Sequence, residues 1–230
     1  MRFNSTRTAM LAMFALATTH VSAQEADEGH EADNGDFDKM RAMLIGHGIL
    51  AALAFVILFP SGAIVLRLAS FPGVIWLHAA FQIFAYLVYI AGFGLGVYAA
   101  LEMDLMNDYH PILGVCILLA ILIMPVLGQV HHKMFKKYGH RTAWSYAHIW
   151  IGRIAITLGI INGAMGLKEA DDLNAGLGST AGMWAYVVVG LIMWVVWMAS
   201  IYIGGKRKKA AAANASTAPV KLESQSRRHH

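Results

Sequence analysis

The segment SYAHIWIGRIAITLGIINGAMGL (145–167) is apolar over the length of a membrane crossing, yet it carries His148 near one end and Arg153 five residues further on. An ionisable ring inside a hydrocarbon-length helix is costly unless it binds something or finds a partner, so such a residue marks a functional site. About 20 mostly apolar residues, rising ~1.5 Å each, cross a ~30 Å hydrocarbon core. Four other runs meet that length: 43–69, 74–101, 109–130 and 182–204. A mean hydropathy of +0.53 and 57% hydrophobic residues exclude a soluble domain unless the excess is gathered into such spans, as it is here. Short connections favour one antiparallel bundle. The expected fold is an all-α integral membrane five-helix bundle, with a four-helix core from the first four spans and a peripheral fifth.

The flanking segments predict the topology. Arg2 and Arg7 precede a short apolar run ending at Val21-Ser22-Ala23, so residues 1–23 read as a secretory signal, with an uncleaved anchor helix as the alternative. Residues 24–40 are acidic and poor in large apolar side chains, which predicts a disordered tail with no room for an extracellular domain. The 131–141 loop (HHKMFKKYGHR) and the tail at 206–209 (KRKK) are basic, whereas 102–108 and 168–173 carry the acids. Basic segments stay in the cytosol. The mature amino terminus is then outside or lumenal and the carboxyl terminus cytosolic, in a plasma or vacuolar/endomembrane. Residues 205–230 read as a disordered basic tail, and 41–204 as the membrane domain.

This topology assigns heights to four histidines. His47 and His110 start descending spans and share the outer layer; His78 and His148 start ascending spans and share the inner one. Each pair comes from helices that are not sequence neighbours, as diagonal helices in a four-helix core would be, so each pair could clamp one planar macrocycle. Haem iron takes axial histidines, and bundle cores commonly host ligands from facing helices. Two haem b groups at two depths would make a relay. The competing reading is that each histidine only hydrogen-bonds a neighbouring helix.

Other polar residues are weighed against packing. Arg153 needs an anionic or carbonyl partner, and a haem propionate is one candidate. Gly92, Gly94 and Gly96, with Gly159, Gly163 and Gly166, remove side chains where helices or a ring come close. Gln82, Gln129 and Asn162 suit interhelical bonding. Met43, Met103, Met106, Met124 and Met165 are read as packing and assigned no ligand role. Cys116 stands alone and no CxxCH is present, so any haem is non-covalent. His131 and His132, beside Lys133, Lys136, Lys137 and Arg141, read as a cytosolic basic surface for anionic lipid or an anionic electron donor rather than a metal site.

The stretches MLIGHGILAALAF (43–55), Trp76-Leu77-His78 with Gln82, HPILG (110–114), GQVHH (128–132) and HIWIGR (148–153) with GIING (159–163) resemble the cytochrome b-561/ferric-reductase transmembrane domain, in a form similar to fungal members. The resemblance covers about residues 40–204. It implies two non-covalent b haems on His47, His78, His110 and His148, passing electrons from a cytosolic reductant to an outer acceptor. Six-helix members have an extra helix where this chain has its signal-like segment.

The expected function is therefore trans-membrane electron transfer, from an ascorbate-like donor held by Lys133, Lys136, Lys137 and Arg141 to an outer acceptor such as ferric iron. The expected partners are small-molecule donor and acceptor and membrane lipid, with no nucleic acid; a homodimer or a separate redox partner protein stays open. The alternatives are a transporter or metal-binding protein using the histidines for ion or proton passage, and a haem-binding anchor for a separate reductase. Transport paths favour carboxylates and broken helices near the midplane, and no Asp or Glu lies deep in a span.

Overall fold

The computed structural model describes residues 32–173 and 179–226, and the regular structure among them is helical throughout. Helix α1 runs without a break through α-helical Ala32–Ala52, π-helical Leu53–Leu58 and α-helical Phe59–Leu68. Pro60 accounts for the wide turn: it has no N–H to offer the preceding turn and its ring crowds the carbonyl there, so the ladder opens just before it. Helices α2 (Val74–Glu102), α3 (Tyr109–Tyr138), α4 (Ala143–Asp172) and α5 (Thr180–Ser226) follow. Each of the five contains a stretch long and apolar enough to cross a membrane. The chain is a multi-pass integral membrane protein of the all-α class. The signal-like segment lies outside the described residues.

Three stretches differ from expectation, each for a local reason. Helix α1 starts at Ala32, inside the supposed acidic tail, because Asp36 and Asp38 near its amino end complement the helix dipole and Lys39 pairs with Asp36 at 3.1 Å. Helix α5 continues through 205–226, where Ala210 to Ala213 are the strongest helix formers available. The 131–141 stretch is not a loop: α3 continues to Tyr138, with Lys136 and Lys137 in its last turn, and stops at Gly139, whose φ of +71° a side-chain-bearing residue would resist.

Packing runs round a ring, α1 on α2, α2 on α3, α3 on α4 and α4 on α1, so α1 faces α3 and α2 faces α4 across the diagonals. Helix α5 lies outside, against α1 and α4. Trp194 Nε1–H donates to Thr157 Oγ1 (3.1 Å), Tyr186 Oη–H to the Ile160 carbonyl (3.0 Å), and Gly204 lets α5 approach the Arg67 backbone. The buried core sits at mid-height, with Ala54, Phe55 and Phe59 from α1, Ala85 and Tyr89 from α2, Ile117 and Ile121 from α3, and Ala155 and Ile156 from α4. Outward-facing Leu87, Leu119, Ile154 and Leu191 are exposed, as a lipid-facing surface requires.

Candidate functional site

Above and below that core lie two histidine layers, one at the acidic end of the bundle and one at the basic end. At the acidic end His47 Nδ1–H donates to the Gly92 carbonyl of α2 (2.8 Å), and His110 Nδ1–H donates to the Asn162 carbonyl of α4 (3.0 Å). A carbonyl only accepts, so these bonds fix the tautomer and leave each Nε2 with a lone pair for a metal. The two rings face each other across the α1–α3 diagonal, their centroids 5.8 Å apart at 75°. Imidazoles on opposite sides of a metal, with metal–nitrogen bonds of about 2 Å, would place their centroids roughly 6 Å apart.

The space around them is kept open by glycine. A Cβ on Gly96 would stand 2.5 Å from the His47 ring, and one on Gly166 2.6 Å from His110. Both histidines line a cavity of about 450 Å³, floored by Phe55, Tyr89 and Phe93 and flanked by Tyr186 of α5. Met103, Met106 and Glu169 also line it. The Asn162 Oδ1 is buried without a hydrogen-bond partner.

The basic end is built differently. His78 Nδ1–H donates to the Gly62 carbonyl of α1 (2.9 Å), with Gln82 bonded to the Phe59 carbonyl (3.1 Å) as an interhelical tie. His148 interacts with both His78 and His131 and lies near the Met124 carbonyl of α3, but its Nδ1 is buried without a completed hydrogen bond. Its ring stacks on His131, 5.8 Å between centroids at 17°. His131 is half-buried at the edge of the basic surface; because α3 continues past residue 130, its ring points against α4, with Nδ1 2.7 Å from Ser145 Oγ.

Arg153 lies over the Trp150 ring at 5.1 Å, and Arg67, Arg141 and Arg153 are near enough to repel one another. Lys133, Lys136 and Lys137 are exposed around them on the last turns of α3. Arg67 is an addition to the cationic set: it ends α1, and only the packed bundle brings it beside the others.

A repeat along the chain, missed in the reading of the sequence, underlies this arrangement. His78, Gly92 and Gly96 on α2 recur at the same spacing as His148, Asn162 and Gly166 on α4. In both helices the later two positions receive the histidine of the preceding helix, His47 in one case and His110 in the other. The core is two copies of one helix-pair device.

No family model and no solved structure matches the chain. It is similar to three cytochrome b561 and DOMON domain-containing proteins of Arabidopsis thaliana: 31% identical over 154 residues (65% of this chain, 37% of that protein), 26% over 159 (65% and 35%) and 26% over 197 (79% and 45%). The chain thus spans between about a third and under half the length of these relatives. The likeness relates this chain to the cytochrome b561 family.

Proposed function

We propose that the chain carries electrons across a membrane through two haem b groups, one held by His47 and His110 and the other by His78 and His148. The observation that carries this reading is the acidic-end pair: two imidazoles from diagonal helices, each committed through Nδ1 to a backbone carbonyl, 5.8 Å apart in a cavity of about 450 Å³. Gly96 and Gly166 give the rings room that any side chain would fill, so the residues present suit a flat metallo-macrocycle. Held by two imidazoles, a haem would supply one-electron transfer. His47 and His110 would hold the group, while the apolar side chains of Phe55, Tyr89 and Phe93 in the cavity wall would keep water from it. The names of the relatives support the b-type cofactor.

The direction of transfer rests on charge. The basic end faces the cytosol, where Lys133, Lys136, Lys137 and Arg141, joined by Arg67 and Arg153, concentrate an anionic reductant such as an ascorbate-like enediol. Arg153 is the proposed partner of a haem propionate. Glu102, Asp104, Asp108 and Glu169 at the other end suit a cationic acceptor such as ferric iron. A dithionite-reduced minus oxidised spectrum of the purified protein should show a b-type haem; its absence would sink the proposal. Proteoliposomes of known orientation, loaded with ascorbate and given an external Fe(III) chelate, should produce external Fe(II). Haem reduction without Fe(II) outside would leave the relay and remove ferric iron as its outlet.

A further inference from the structure

Three of the four proposed ligands are oriented alike, by a completed Nδ1–H bond to a carbonyl of the neighbouring helix, whereas at His148 the Met124 carbonyl of α3 stands near the ring without completing that bond. What lies against its ring is His131, stacked at 5.8 Å and 17°. His131 is itself anchored: its Nδ1 meets the hydroxyl of Ser145 at 2.7 Å, and Ser145 is fully buried on α4 less than one turn before His148, its Oγ also accepting the Thr142 N–H at 3.2 Å. Gly128, one turn before His131 on α3, leaves the rest of the ring its space, since a Cβ there would be 3.3 Å from His148 Cε1. His148 therefore lies across α3 between a glycine gap and an imidazole plate. In the first helix pair the place corresponding to His131 holds Leu68, and there His78 has its carbonyl bond.

We propose that His131 is the positioning residue of the basic-end haem site: it sets the ring plane of His148 by stacking, where the Met124 carbonyl does not complete the bond that orients the other three, and does not itself ligate. The inference rests on the haem reading above. Partners around a metal-bound imidazole fix its rotation about the metal–nitrogen bond, and aromatic plates at this separation hold one another's orientation. The mutual angle of two axial imidazoles in turn sets the g-values of low-spin ferric haem, so the effect is readable without turnover.

The test compares full-length wild type, His131→Ala, His131→Phe and Ser145→Ala in detergent, by haem content and by electron paramagnetic resonance of the oxidised protein. The basic-end signal is identified as the one missing from His148→Ala. Two haems should remain in all three variants. His131→Ala should shift and broaden the basic-end signal and leave the other unchanged; Ser145→Ala should broaden it less. His131→Phe should return a narrow signal close to wild type, because a phenyl ring stacks but cannot ligate. Unchanged signals in His131→Ala would overturn the proposal, as would loss of one haem from both His131 variants, which would make His131 the ligand. A wild-type protein with no low-spin haem signal overturns the haem reading itself, before any variant is compared.

Discussion

At the scale of single residues, the histidines and the glycines facing them form one unit. If His47 and His110 share an iron, His47→Ala and His110→Ala should each remove the same one of two haems, and the double variant should lose little more, since residues acting on one site are non-additive. Loss of different haems from the two single variants would separate the pair. Gly96→Leu and Gly166→Leu should remove that same haem, because a side chain would occupy the place of the His47 or His110 ring. Gly159 has another role: a Cβ there would overlap the Phe55 ring in the core. Gly159→Ala should therefore destabilise by about 1–3 kcal/mol through overpacking, seen as a lower thermal midpoint with both haems retained. The sequence marks these glycines as places of close approach. Which ring each one admits depends on the neighbouring helix, and no local pattern encodes that.

At the scale of elements, the π-helical turn Leu53–Leu58 lies between His47 and Gly62, the two α1 positions that meet α2 at opposite ends. A π turn holds one residue more than a regular turn. Deleting Leu53, whose side chain faces outward, should therefore regularise the helix and keep both haems. Inserting one alanine after Leu53 should instead turn His47 by about 100° relative to the lower half of α1 and remove the acidic-end haem. Haem content of the two variants decides it; equal loss from both would show that the turn does not set the register. Nothing along the sequence marks the π turn, since a proline such as Pro60 does not by itself say whether a helix kinks or widens. The extension of α3 to Tyr138 was hidden for a different reason: charged and histidine side chains lower hydropathy without lowering helix propensity, so the end of an apolar run is not the end of a helix.

At the scale of the whole molecule, the charge asymmetry makes a topological prediction. With the basic end cytosolic, a tag after His230 should be protected from protease in intact cells and Asn214, in the acceptor pattern Asn214-Ala215-Ser216, should carry no glycan. A glycan on Asn214 would invert the bundle and exchange the donor and acceptor faces. Pyridine haemochrome measured against protein mass should give two haems per chain; a ratio near one would leave a single layer. Reversing the charge of Lys133, Lys136 and Lys137 together should slow haem reduction by internal ascorbate, more so at low ionic strength because exposed charges are screened by salt. Unaltered rates would remove the proposed donor surface.

The membrane class, the number of spans and the two heights of the histidines were determined by the sequence alone, because hydrocarbon length, apolar periodicity and the cost of an ionisable ring in lipid are properties of a segment by itself. The tertiary structure decided what depends on two helices at once. It brought His47 to His110 across a diagonal, tied their Nδ1 atoms to the Gly92 and Asn162 carbonyls, stacked His131 on His148 and gathered Arg67 with Arg141 and Arg153. Each of these contacts depends on how one helix is rotated against the next. That rotation is set by side-chain packing across the interface, with Gly159 receiving Phe55 and Gly204 admitting the Arg67 backbone, and a pattern read along one helix carries no information about its partner's face.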